Sequence, residues 1–402
     1  MTSTPLRLRT AGQQTSYLRA AERSEDCASG AGLPLDAPIL TATGWRPNGD
    51  IAIGDALIDP RGGQSRVIRL HPGGIKEVYQ VSLQDGSRAS ACADHKWEIQ
   101  TRDSNNRKKL EIVSTMEMKA RTDKKHWQVL LPKTSPFTYH TTGELPIHPY
   151  LMGILLAEGS LSDQSLTFGS GDTEIVDRIS TLLPSELTIK SSGIKHRISA
   201  GNWGGAQTSR NTTGRNVIIT SLRGLGLWGT RSHTKFIPEI YLRSEVKDRA
   251  ELLRGLMDGD GSIKTDGNIR YATVSEQLAY GIRELIWSLE GRAKIVLREN
   301  RTYKYKGEAR RAKNTYWING ICGITLNPFW LERKAKWFAY SAKSDSYSRK
   351  VRGVNPIGAQ LVQGIEVCAA SNLIATHDNV VSRHTQTGIT ISKLPAGQTM
   401  LF

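Results

Sequence analysis

Two carboxylates, Glu158 and Asp260, stand in nearly identical stretches. Residues 151–161 read LMGILLAEGSL and residues 253–263 read LRGLMDGDGSI, so the copies align at an offset of 102. Leu151 matches Leu253, Gly153 matches Gly255, Gly159 matches Gly261 and Ser160 matches Ser262, with Ala157 opposite Gly259. Gly153 and Ala157 are four residues apart, as are Gly255 and Gly259, so each pair shares one helix face. Small residues on such a face let two helices approach backbone to backbone. The two acids then arrive side by side at helix C-termini, where the helix dipole disfavours negative charge. A divalent cation resolves that conflict. Carboxylates combined with phosphate oxygens suit magnesium, and paired carboxylates suit in-line phosphodiester cleavage. A lone DGDG also reads as a turn or a calcium loop. The twelfth position from Asp258 is Ile269, however, where such a loop needs an acid. The glycine after each acid fits a left-handed helix stop.

The elements that must hold these residues change along the chain. From Leu33 to about Trp97, short alternating runs are broken by Gly, Pro and Asp-Gly turns, an all-β texture. From about Pro146 to Tyr340, apolar runs of helical length (150–158, 247–259 and 276–289) alternate with strand-like runs. The latter include SLTFGSG, RNVIITSL, NIRYATVS, RAKIVLRE and YWINGICGITL. A β-like tail resumes at Val351. The mixed domain therefore reads as an insert between two parts of one β domain.

The chain carries 54 Lys and Arg against 38 Asp and Glu, a formal charge of +16, which points to a polyanionic partner. The four cysteines, Cys27, Cys92, Cys322 and Cys368, form neither a zinc pattern nor a disulfide framework. Without a signal peptide or an eighteen-residue apolar run, the expectation is a cytoplasmic protein that does not enter a membrane.

The paired stretches resemble the two motifs of single-chain LAGLIDADG homing endonucleases. KFIPEIYLRSEVKDRAELLRGLMDGDGSI is similar to the family's segment around the second motif. The resemblance implies an enzyme that cuts double-stranded DNA as a monomer acting as a pseudo-dimer. It implies Mg2+ (or Mn2+) held at Glu158 and Asp260 with Gly159 and Gly261. Lys235, shortly before Ile-Pro, takes the place of a catalytic lysine. Lys334 and Lys336, in NPFWLERKAKWF, are weaker candidates. The family's curved sheets lie in the major groove. Here RENRTYKYKGEARRAK offers a basic ribbon with Arg298, Arg301, Lys304, Lys306, Arg310, Arg311 and Lys313, and KYKGEA suits its turn. A second basic patch covers 190–197 and 209–216. A DNA-binding regulator without cleavage is the alternative.

The flanks resemble the Hint domain of inteins, specifically class 3. LPLDAPILTATGW looks like an intein opening, with Gly32 at the first position. ACADHKW places His95 at the histidine that activates the scissile amide, Trp97 at the class 3 tryptophan and Cys92 where Thr is common. Thr385 falls just after the C-terminal junction. Arg383 and His384 stand where His and Asn are expected, and Gly364 stands where the nucleophilic Cys belongs, with Cys368 the nearby thiol in sequence. These departures imply impaired splicing, with Cys27 or Asn379 as remote substitutes; a splicing-competent intein is the further alternative. The expected organisation is a leader or host remnant at 1–31, Hint segments at 32–140 and 350–384, an endonuclease domain at 146–345, and a second remnant at 385–402. The fold class is an all-β Hint domain interrupted by an α+β LAGLIDADG domain with pseudo-two-fold symmetry.

Overall fold

The computed structural model describes residues 31–102, 108–124, 128–132, 134–139, 143–162, 165–200, 216–299, 302–305, 308–311, 313–338 and 349–383; at 108, 303–305 and 309–311 it describes the backbone alone. The terminal remnants expected at 1–31 and 385–402 lie outside these, save Ala31.

Two distant parts of the chain build one β system. The strand Gln64–Leu83 runs antiparallel to Arg349–Val367, from Val351 opposite Leu83 to Val367 opposite Val67. Leu33 and Pro34 add to the same late strand, and Ile39 pairs with Thr376. Their apolar faces meet in one core that includes Leu33, Trp97, Ile99, Leu131, Ile365 and Val380. One helix, Thr115–Thr122, joins this otherwise β unit. Ser114 and Glu117 close a capping box at its start, which secures a helix of only 8 residues.

Residues between these parts form a second core, from Ile147 to Leu331. It is built from two copies of one pattern. Each copy runs helix, two strands, helix, two strands, and its four-stranded antiparallel sheet has the same neighbour order. The first sheet runs Gly159–Ser160, Leu166–Gly169, Lys195–Ala200, Leu187–Ser192. The second runs Ser262–Ile263, Ile269–Thr273, Thr315–Cys322, Arg292–Arg298. The strand pair Thr302–Tyr305 and Glu308–Arg311 grows from the second copy as a separate two-stranded ribbon. The chain thus has a β fold interrupted by a pseudo-two-fold α+β unit.

One sequence expectation fails here. RNVIITSL reads as a strand, but Val217–Gly224 is helical. The Asn216 side chain accepts hydrogen bonds from the amides of Ile218 and Ile219, a helix N-cap that outweighs the β preference of the branched residues.

The two units are joined by polar contacts. Arg249 is fully buried and donates to the carbonyls of Ser244, Ser288 and Phe137, the last in the connecting segment. Glu284 pairs with Arg243 at 2.6 Å and accepts from the Trp45 indole of the β unit at 3.0 Å. Arg283 reaches Asp378. No helix among the described residues is long and apolar enough to cross a membrane.

Candidate functional site

The first motif helix, Pro149–Glu158, lies against the second, Val246–Gly259. The small residues are what allow this. A methyl on Gly153 would meet the Leu252 carbonyl oxygen at 2.4 Å, and one on Gly255 would meet the Tyr150 carbonyl oxygen at 2.1 Å. A methyl on Gly259 would meet the Ala157 methyl at 2.6 Å. Real contacts of this kind are about 3.4 Å or longer, so no larger side chain fits without the helices parting.

The glycines after the acids serve differently from the sequence expectation. Gly159 has φ −74°, and neither it nor Gly261 takes a positive φ, so the stop is not left-handed. Each glycine instead turns the chain back across the last helical turn. A methyl at Gly159 would strike the Leu155 carbonyl oxygen at 2.4 Å, and one at Gly261 the Met257 carbonyl oxygen at 2.5 Å. Close approach, rather than conformation, selects glycine there.

Glu158 and Asp260 emerge together at the helix ends, close enough for each to perturb the other's ionisation. Both reach solvent, yet the protein around them removes part of their hydration. That desolvation raises the pKa of each, and for Glu158 the charge of Asp260 raises it further. Two carboxylates so placed favour a shared proton or a cation. Among the described residues, no group of three or more His, Cys, Asp or Glu could hold a metal alone. The donor set fits a hard dication completed by outside oxygens, water or phosphate.

Two lysines close the arrangement symmetrically. Lys235 is buried and its ammonium donates to the carbonyls of Leu155, Leu156 and Gly159 at 3.0, 3.0 and 2.7 Å. Lys334 does the same for the other helix, reaching Met257, Asp258 and Gly261 at 2.9, 2.7 and 2.7 Å. Burial lowers each to about 8, with both acids opposing the drop at Lys235. Each ammonium neutralises a helix C-terminus. Lys334, a weaker candidate in the sequence, is the geometric counterpart of Lys235. Lys336 is exposed and lies over the Trp337 ring. A cavity of about 210 Å³ is lined by Lys235 and Asp260, with Ser232, Thr273 and Thr315.

Asp258 is buried and already used. It accepts from the Tyr150 hydroxyl at 2.9 Å and from the amides of Trp330 and Leu331. It locks the closing segment to the motif helix and has no freedom to ligate a cation.

The sheets present polar rows, in which Lys190 and Arg197 of the second basic patch join residues that the sequence did not single out. Ser160, Thr167, Arg197 and Lys190 align across the first sheet; Ser262, Arg270, Asn319 and Lys294 align across the second. Of the basic-ribbon residues, Arg298 is exposed and lies over the Trp317 ring, and Lys313 is exposed beside His233. Lys304, Arg310 and Arg311 are placed by backbone only, and Arg301 and Lys306 lie outside the described residues. So does most of the patch at 209–216.

Residues 247–318 match the model of the LAGLIDADG-like domain. The segment that holds the second motif helix is thus similar to a LAGLIDADG-like domain. The chain is 27% identical over 383 residues to a replicative DNA helicase DnaB of Mycobacterium intracellulare, covering 89% of this chain and 59% of that one. It is 23% identical over 265 residues to a DNA gyrase subunit of Mycobacterium kansasii, covering 60% of this chain and 43% of that one. The chain thus spans 59% and 43% of the lengths of these two relatives. Among solved structures, it is similar to the MchDnaB-1 intein (30% identity, 21% of this chain and 59% of that one, TM-score 0.18). It is also similar to mesophilic variants from the homing endonuclease I-DmoI (14% identity, 50% and 97%, TM-score 0.29).

In the β unit, the residues from Gly32, the stretch around His95 and the strand Val380–Arg383 come together. His95 is buried, its Nε2 hydrogen-bonded to Ser382, and its ring meets Trp97 edge-on. Trp97 is buried, its indole donating to Thr115. Gly32 packs so closely on the late strand that a methyl there would meet the Gln363 carbonyl carbon at 2.7 Å. The thiol beside Gly32 is Cys92, whose Sγ accepts from the Gly32 amide at 3.1 Å. Cys368 is held at the backbone of Arg66, which lowers its pKa, and it follows the last ladder pair, Val367 with Val67, four residues after Gly364. Arg383 lies 3.8 Å from Glu98, and Asn379 is buried at positive φ. Thr385, His384 and Cys27 fall outside the described residues.

Proposed function

We propose that the chain is a site-specific, divalent-metal-dependent endonuclease that cuts double-stranded DNA and is carried in an intein whose splicing is impaired. The observation that carries this reading is the pair Glu158 and Asp260, brought together at the ends of two interlocked helices, each end held by a lysine. Glu158 and Asp260 would hold the cation, Mg2+ or Mn2+, with the carbonyls of Gly159 and Gly261 contributing their second lone pairs. A cation bound there supplies a water of lowered pKa and charge neutralisation at the phosphate. The chain itself orients the acids and keeps a positive charge at Lys235 beside the cavity where a phosphate would sit. The polar sheet rows and the ribbon of Arg298, Arg301, Lys304, Lys306, Arg310, Arg311 and Lys313 would face the groove and backbone of the DNA. The domain boundaries inferred from sequence, with 32–140 and 350–384 flanking 146–345, serve this reading, and the chain acts as a monomer with two half-sites.

Splicing lacks its parts: glycine at 32 and 364, and Arg383 and His384 at the C-terminal junction. His95 and Trp97 keep scaffold positions, and Thr385 has no Asn before it. DNA encoding residues 1–31 joined directly to residues 385–402 is the target to test, since relatives include DnaB helicases. Incubation with and without Mg2+ decides: cation-dependent linearisation supports an endonuclease, while tight binding without cutting supports a regulator.

A further inference from the structure

The polar row of the second sheet ends at Lys294, on the edge strand Arg292–Arg298. Beyond that edge stands a hairpin tip of the β unit. A methyl on Gly86, which turns the hairpin at φ 88°, would lie 3.8 Å from Lys294 Cε. Consecutive Cα atoms are about 3.8 Å apart, so Gln84 lies within about 7.6 Å of Gly86. Gln84 lines a cavity of about 430 Å³ together with Thr122, Lys124, Lys350 and Arg352. Lys350 and Arg352 are exposed on either side of the buried Val351, so both project from one face of their strand. Lys124 comes from the turn after the helix Thr115–Thr122. The hairpin fixes the strand that carries the other two cations. The Gln84 amide donates to the Lys350 carbonyl at 2.9 Å, and Asp85 pairs with Arg349 at 2.9 Å. Among the described residues no acid lines the cavity, and Asp123, next to Lys124 in the chain, is paired with Lys119 at 2.7 Å. Lys124, Lys350 and Arg352 have no ion pair among the described residues.

We propose that this cavity is a DNA phosphate site, which carries the nucleic-acid face from the second sheet onto the β unit. The inference rests on the DNA-cutting reading and adds a contact surface outside the pseudo-two-fold unit. Three cations with an amide and a hydroxyl, and no acid or aromatic ring, match the oxygens of a phosphate rather than the edge or face of a base. A duplex on the polar row that continues past its edge strand meets the hairpin tip next. Successive phosphates of one strand advance about 3.4 Å along the axis, so the step from Lys294 to the cavity spans a few nucleotides. A contact of this kind carries no base information and fixes how the duplex lies on the protein.

The test measures binding of the full chain, in chelator, to a labelled duplex with the joined 1–31/385–402 coding sequence across a range of salt. The variant is Lys350→Gln/Arg352→Gln. The control, Arg66→Gln/Arg69→Gln, removes equal charge from exposed positions toward the other end of the strand Gln64–Leu83. Losing one neutralised phosphate makes the slope of log K against log salt shallower by about 0.9, or about eightfold in affinity at about 0.1 M salt. The variant should show both changes, and the control should stay within about twofold of wild type. Lys124→Gln, on a separate element, should act in the same direction, and equal melting temperatures exclude a folding defect. Phosphate ethylation should interfere with wild-type binding at a position beyond one end of the central footprint, and that position alone should fall silent in the variant. Wild-type affinity, slope and ethylation pattern in the variant, or a control that weakens binding as much, overturns the site. If wild type does not bind the duplex at any salt concentration, the DNA reading itself falls, and this inference with it.

Discussion

Gly255→Ala is the sharpest structural perturbation. Its new methyl would stand 2.1 Å from the Tyr150 carbonyl oxygen and 3.0 Å from Gly153 Cα, against ordinary contact at about 3.4 Å. The overlap with the oxygen is therefore about 1.3 Å. The obstacle is helix backbone, so no rotamer relieves it. Alanine gains about 1 kcal/mol of helix propensity over glycine. Overpacking of a tight core costs about 1–3 kcal/mol, and more where the backbone must move. The net expectation is a loss of about 2 kcal/mol, a fall in Tm of roughly 4–8 °C for a domain of this size. Parting the helices by about 1 Å also separates Glu158 from Asp260, and a 1 Å misplacement costs about a hundredfold in rate. The control is Gly224→Ala: Gly224 is helical with nothing within 4 Å of a methyl, so it should gain about 0.5–1 kcal/mol. Thermal unfolding and plasmid cleavage of the two variants are the assay. A Gly255→Ala protein as stable and as active as wild type would refute the interlocked-helix account.

Asp258→Ala should destabilise by about 1–3 kcal/mol per group left unpaired, since the Tyr150 hydroxyl and the Trp330 and Leu331 amides lose their acceptor, while calcium affinity of the DNA complex stays unchanged. Lys235 should lose its charge as pH rises through about 8, so cleavage should decline on that alkaline limb and fall at acid pH below the raised range of the two carboxylates; a rate profile from pH 5 to 10 shows both limbs. The folded pKa of Lys235 lies below its ordinary 10.5, so stability rises between pH 8 and 10.5 as the burial cost of its charge disappears, and Lys235→Met should flatten that rise in denaturant titrations. Intact mass measurement of the expressed chain should find the full 402 residues and no excised 32–384 species.

Much of this architecture was legible from spacing. The offset of 102 disclosed the two-helix core because helix packing leaves a periodic record: small residues four apart can only mean close approach. Turn signals disclosed the β flanks for the same reason. Three features were not legible. Val217–Gly224 reads as a strand because an apolar run of branched residues has no period, and only the Asn216 cap decides. The role of Lys334 is hidden because a buried lysine on a short helical turn looks like a surface lysine until the turn is docked on a helix C-terminus. Cys92 beside Gly32, and Ser382 on His95, are pairings across 60 and 287 residues that no local pattern records.

The central claim is that Glu158 and Asp260 hold the cation that cuts DNA. The most direct measurement is cleavage of the joined-junction plasmid by wild type, Glu158→Gln, Asp260→Asn and the double variant, with Mg2+ or with chelator. Wild type should give linear DNA only with the cation. Each single variant should stop at nicked circles or earlier, and the double variant should bind the DNA and cut neither strand. Melting temperatures of the single variants should not fall at neutral pH, because each replaces a crowded carboxylate whose raised pKa marks an unfavourable charge. Cutting of both strands by the double variant at the wild-type rate would contradict the account.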